Sequence, residues 1–261
     1  GGTSYTALST GANWQFAQFN DYVIATQANT DVQVFQLGVS SAFTSLTGSP
    51  PRAAYVSVVN RFLVLSGLAS YPRRVHWSGL NDITQWTSGT NLSDYQALPD
   101  GGNVTRVIGG EFGIIFQDSA IRRMVYTTAT DIVFQIDKIA KDIGDAAPYG
   151  VTEADGRVYF YSQKGFYSIS GDGGLQPIGR ERVDRTFARD ADLTKTALIQ
   201  AVASPNAHLV MWAFTALADN VDYWTRIFAY DFVLDRWARI DVSGEFIASM
   251  ARPGLTLESL D

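Results

Sequence analysis

A chain of 261 residues, 46% hydrophobic and only 18% charged, has enough apolar surface to bury one sizeable core. It contains no cysteine, which excludes disulfides, thiolate catalysis and cysteine-held metals. Its net charge of −6 argues against a dedicated nucleic-acid-binding surface, and no apolar run approaches the roughly 18 residues of a membrane helix. The opening GGTSYTALSTG has neither the basic nor the apolar part of a signal peptide, and no initiating Met. The chain therefore reads as a processed product or a piece of something longer.

One segment type returns five times: an apolar run, a tight polar turn, a second apolar run. The first copy, NWQFAQFNDYVIATQ, starts at Asn13 and turns at Asn20-Asp21. The others start at Ala53, Asn103, Tyr149 and Ala197, with turns at Asn60-Arg61, Gly110-Glu111, Asp155-Gly156 and Pro205-Asn206. A period of about 40–50 residues with several strands per repeat predicts an all-β fold, a β-propeller of five or six blades. The 13% aromatic content favours strands.

In chain order, the first repeat continues into a strand over Asp31 to Gly38. A Ser/Thr/Gly/Pro-rich connector between blades follows, from Ser40 to Pro51. The second repeat ends in the strand Arg73 to Gly79. The polar stretch Leu80 to Gly102 reads as a long loop, and loops of this length usually make contacts. Asn81, Asp82, Trp86, Asp94 and Tyr95 in it are the candidate protein-contact residues. The third repeat has outer strands at Ala120 to Thr127 and Asp131 to Asp137. Arg122 and Arg123, adjacent on a strand, face opposite ways and cannot line one groove. In the fourth, Ser170 to Gly174 is a hairpin turn, because a phosphate-cradling loop must open a helix. Arg180 to Lys195 breaks the β pattern. Val183 and Phe187, four apart among charges, predict one short surface helix near 180–195. After the fifth repeat, EFIASMARPG from Glu245 predicts the first strand of a sixth unit. A single propeller domain over 1–261 is then expected to be incomplete at its C-terminal end.

His76 and His208 lie in apolar runs of distant repeats and read as packed strand residues rather than ligands. No clustered His/Asp pattern exists, so no metal and no cofactor is expected. Asp21, Asp100, Asp118, Asp155, Asp172 and Asp235 all sit in turns, where Asp ordinarily bonds its own backbone. That is not the arrangement of paired glycosidase carboxylates, and no catalytic residue is predicted.

Several strings together resemble a known family. They are Val75-His76-Trp77-Ser78-Gly79-Leu80-Asn81-Asp82 with Trp86 following, and Ser93-Asp94-Tyr95-Gln96 leading to Leu98-Pro99-Asp100-Gly101-Gly102. Phe116-Gln117, Ile121-Arg122-Arg123-Met124, Val133-Phe134-Gln135 and Asp235-Arg236-Trp237 continue the set. The chain is similar to the β-propeller tail proteins of tailed bacteriophages, the group with the packaged-DNA stabilisation or tail nozzle proteins of short-tailed phages. The resemblance implies a virion protein of the phage tail, made in the bacterial host cytoplasm. It implies a homohexameric ring below the portal and adaptor that prolongs the DNA channel and helps retain DNA until ejection. The implied partners are further copies of the chain, adaptor and portal-side tail proteins, and tail fibres or tailspikes. DNA would pass without sequence-specific binding, and a net-negative lumen would let it slide. Two other readings stay open: a propeller that binds tail fibres or host glycan through Leu80 to Gly102, and a five-bladed glycoside hydrolase.

Overall fold

The computed structural model describes residues 13–128 and 132–249. Twenty strands form five antiparallel sheets of four, each built from consecutive strands. Blade 1 is β1 (Gln15–Phe19), β2 (Tyr22–Thr26), β3 (Gln33–Gln36) and β4 (Thr44–Ser45). Blade 2 is β5 (Ala53–Val59), β6 (Phe62–Leu68), β7 (Arg74–Trp77) and β8 (Asp94–Ala97). Blade 3 is β9 (Val104–Ile108), β10 (Phe112–Gln117), β11 (Ala120–Tyr126) and β12 (Phe134–Lys141). Blade 4 is β13 (Thr152–Ala154), β14 (Arg157–Ser162), β15 (Gly165–Ser170) and β16 (Leu175–Pro177). Blade 5 is β17 (Gln200–Ser204), β18 (Leu209–Phe214), β19 (Arg226–Asp231) and β20 (Arg236–Ile240). The molecule is a five-bladed β-propeller, the lower of the two expected blade counts.

The five repeated hairpins are the first two strands of the five blades. Their turns follow from local chemistry. Asn20, Asn60 and Asp155 take φ values of 54°, 53° and 51°, a left-handed conformation that Asn and Asp tolerate best after Gly. The fifth turn is different: Pro205–Ala207 is a short 3-10 turn and His208 carries the positive φ.

The second strands β6, β10 and β14 are buried along almost their whole length. Each is covered by a blade on either face, so both faces must be apolar. Successive blades meet in four cores. Leu63, Leu65 and Trp86 belong to the first, between blades 1 and 2. Phe62, Trp77 and Phe134 mark the second, Phe116 and Phe160 the third, and Phe166, Phe187 and Trp212 the fourth. Blades 2 and 3 also touch by backbone: Gly110 N donates to Val58 O at 2.9 Å, and Asn60 N donates to Gly110 O at 2.6 Å. A side chain at Gly109 would stand 2.0 Å from Val58 O, so only glycine permits this approach.

Four expectations change. The connector Ser40 to Pro51 contains β4, and the polar stretch Leu80 to Gly102 contains β8, so each supplies the fourth strand of a blade. The short helix exists as α1 (Asp184–Asp190), but Phe187 is wholly buried and makes the helix a core element of blades 4 and 5. Residues 245–249 form no strand of a sixth unit. The amide of Gln200 instead grips them, donating to Glu245 O at 2.8 Å and accepting from Ile247 N at 3.1 Å. Ile247 packs against the small blade 5 cluster of Ala213, Trp224 and Ile227. The remainder of EFIASMARPG lies outside the described residues.

Candidate functional site

The predicted contact residues differ in exposure: Asn81 and Tyr95 are exposed, Asp82 and Asp94 half-buried and Trp86 buried. Trp86 is turned inward, 4% exposed, with its indole N–H donating to Ile83 O at 2.7 Å. Asn81 holds a left-handed turn with φ 54°, and the Asp82 carboxylate accepts from Thr84 N at 2.9 Å and Thr84 Oγ1 at 2.7 Å. Asp94 accepts from Ser88 Oγ at 2.5 Å and Tyr95 N at 2.9 Å. These are loop-shaping bonds. Tyr95 differs: it stands on the rim, 41% exposed.

Tyr95 belongs to a group that single-residue reading does not reveal. The Arg74 guanidinium lies between two rings, 4.1 Å from the Tyr71 centroid and 3.9 Å from that of Tyr95. Cross-strand register explains this. His76 pairs with Tyr95 and Arg74 with Ala97, so Arg74, His76 and Tyr95 share one face of blade 2. Tyr71 joins from the preceding loop, where its carbonyl accepts from Arg74 N at 3.0 Å. His76 sits behind, edge-on to Trp86 and Tyr95. Burial lowers its pKa, which keeps the ring neutral near pH 7.

A second assembly joins blades 2 and 3. The fully buried Gln117 amide donates to Asp100 O and Gly102 O, each at 2.9 Å, and accepts from Arg122 Nε at 2.8 Å. The Asp100 carboxylate pairs with Arg122 and Lys138, and the Lys138 bond chiefly holds its pKa down. A Cβ on Gly101, at φ 92°, would meet Gln117 Oε1 at 2.9 Å. Arg123 faces the other way and donates to Gly171 O at 3.1 Å, as strand alternation requires. Replacing Gln117 with Leu should cost about 2–3 kcal/mol, because buried carbonyls and a guanidinium lose their partner. A chemical-denaturation midpoint unchanged by that substitution would remove the joint from the account of stability.

Side chains from different blades meet across the propeller. Tyr55 on β5 meets Tyr149 edge-on at 5.7 Å between centroids, and the Tyr149 hydroxyl accepts from Asn13 N at 3.0 Å. Arg106 on β9 donates to Gln15 Oε1 at 2.6 Å and lies 5.4 Å from the Tyr55 ring. Burial raises the Tyr55 pKa and works against the charge of Arg106. Asp145, 3% exposed beside this cluster, accepts from Ala147 N at 2.8 Å, and burial raises its pKa to about 7.

Of the turn aspartates, Asp172 bonds the backbone of its own turn, while Asp21, Asp100 and Asp235 bind side chains and Asp118 reaches a distant amide. Asp118 accepts from Asn103 N at 2.7 Å, Asp21 from Gln36 Nε2 at 2.7 Å, and Asp172 from Gly174 N at 3.1 Å inside the hairpin joining β15 to β16. Asp235 pairs with Arg182 and accepts from the Tyr230 hydroxyl at 3.0 Å. His208 is exposed in the blade 5 turn and edge-on to Phe232, not within a strand. Among the described residues no group of three His, Cys, Asp or Glu could hold a metal.

Neither a protein-family model nor a curated protein matches this sequence. Solved structures do. Dihydro-heme d1 dehydrogenase NirN, in complex with DHE, is similar with a TM-score of 0.54 at 11% identity over 92% of this chain. The computationally designed Ika8 protein is similar with a TM-score of 0.52 at 12% identity, again over 92% of this chain. The likeness is one of fold. The chain spans 48% of the first protein and 65% of the second.

Proposed function

We propose that this chain is a structural subunit of a bacteriophage tail, part of the nozzle or hub ring in the virion. There it extends the DNA channel below the portal and adaptor and helps retain DNA until ejection. One observation carries the reading: the strings that resemble tail propellers interlock. Leu98 to Gly102, Phe116-Gln117 and Arg122 meet in the joint of blades 2 and 3. Val75 to Gly79 are stapled to the next string by Ser93 Oγ, which donates to Trp77 O at 3.0 Å.

The contacts across the propeller fit this role. DNA would run through the hole of an assembled ring, outside each propeller, along subunits of net charge −6 that repel phosphate. Each propeller would act as a rigid block whose work lies in its surfaces.

Light scattering beside electron-microscope class averages tests this. A closed ring with a channel passing a DNA duplex, about 20 Å across, is the expected result. Phage lacking the protein should lose infectivity and leak packaged DNA. A persistent monomer that binds tail-fibre protein or host glycan would replace the ring with a binding module. Hydrolase activity lost on changing one central carboxylate would replace it with an enzyme.

A further inference from the structure

We propose that the Tyr71–Arg74–Tyr95 stack is a docking point for a second copy of this chain, which inserts a carboxylate from its blade 5 loop, residues 215–225. The inference rests on the ring reading above and names the contact that would build it.

Arg74 is half-buried, and its guanidinium has no hydrogen bond or ion pair among the described residues. Two tyrosine faces hold the planar group in place and leave its N–H edge open. A guanidinium ordered in this way has already lost much of its rotamer freedom and is ready for a bidentate carboxylate. Tyr and Arg packed together are also the residue types that dominate interface energy. Tyr71 and Tyr95 are 54% and 41% exposed. β8, which carries Tyr95, is exposed at three of its four positions, and the neighbouring β4 has only two residues.

The complement lies elsewhere on the same chain. With 26 acidic against 20 basic residues, a second copy offers carboxylates in excess. Blade 5 joins its second and third strands by the eleven residues 215–225, against six, five, two and two in blades 1 to 4. This long loop exposes Leu217 (59%) and Tyr223 (42%) around Asp219. Asp219 is itself exposed, and its carboxylate has no partner among the described residues. Asp222 in the same loop is paired with Lys195 at 3.3 Å, which leaves Asp219 as the available acid.

Placement agrees with chemistry. In sequential four-stranded blades, every connection from second to third strand emerges at the same end of the propeller. Tyr71 lies in that connection of blade 2 and Asp219 in that of blade 5, so both patches sit at one height. Blades 2 and 5 are not neighbours, so the patches face different sides. Their meeting is head-to-tail, the kind of interface that closes into rings.

The test is a charge swap on the full chain, with mass followed against concentration by light scattering. Arg74→Glu and Asp219→Arg should each weaken self-association by about thirtyfold or more, as loss of an interface hot spot does. The double variant should recover most of it. Tryptophan fluorescence checks the fold of the Arg74 variant, and the Asp219 variant, altered only in an exposed loop, reports on the same contact independently. If the wild type assembles and both single variants assemble equally well, this contact is wrong and the ring stands on another. If the wild type stays monomeric at high concentration, the self-docking contact and the ring fall together. Binding of tail-fibre protein or host glycan abolished by Arg74→Glu in such a monomer would assign the stack to a foreign partner instead.

Discussion

Replacing Phe187 with Ala should destabilise the protein by about 3–5 kcal/mol, the usual cost of deleting a large buried aromatic. Phe187 is fully buried, and its ring centroid lies 4.7 Å from Tyr161, 4.8 Å from Phe166, 4.9 Å from Phe214 and 5.9 Å from Phe228. These residues come from blades 4 and 5, so one truncation opens a cavity in the shared core. Arg185, exposed on the same helix, supplies the internal control: Arg185→Ala should change stability by no more than about 0.5 kcal/mol. Urea unfolding of the two variants decides the matter. Equal, small effects would mean that α1 is a surface attachment after all.

Asp145 should make stability fall as pH rises through the mildly acidic range. Burial raises its folded pKa from 3.8 to about 7; the Ala147 N–H and Arg106 oppose the shift, and Asp118 adds to it. Below pH 3.8 the carboxyl is neutral in both states and contributes no pH dependence. Between there and about 7 the unfolded chain releases the proton while the folded chain keeps it, so stability drops. Above 7 the penalty is complete, on the order of 4 kcal/mol at the full shift. Asp145→Asn cannot ionise. Its stability relative to the wild type should therefore rise by several kcal/mol from pH 4 to pH 8, whatever fixed cost the amide brings. Urea midpoints at these two pH values measure the change. A difference that stays flat with pH would show that the carboxyl is solvated or better partnered than its surroundings indicate.

The blade plan is legible in the sequence because the first hairpin of each blade is local. Its turn residues and apolar flanks sit side by side, and in blades 1, 2 and 4 a left-handed Asn or Asp marks the join. Outer strands are less legible because solvent on one side relaxes their composition. β8 reads Asp-Tyr-Gln-Ala and hides inside a polar stretch, and β4 is two residues among serines and threonines. Phe187 misleads for the opposite reason: charges surround it in sequence, but the helix turns them outward. Trp86 is a polar-loop residue by position and a core residue by burial. The stack around Arg74 depends on strand register, which brings Tyr95 next to a residue more than twenty positions earlier. Spacing along the chain cannot display that, although Tyr71 three residues before Arg74 is visible as a near neighbour.

The side chains that meet across the propeller also bear on how the molecule comes apart. Arrays whose units touch only their neighbours can lose them piecemeal. Here Gln15 bonds Arg106 across blades 1 and 3, Tyr55 meets Tyr149 from blade 2 to the entry of blade 4, and Asn13 reaches the same tyrosine from blade 1. These spokes tie non-adjacent units into one cooperative body. None of blades 1 to 4 can melt without loosening a partner two blades away, so a load applied to one of them is shared with the others.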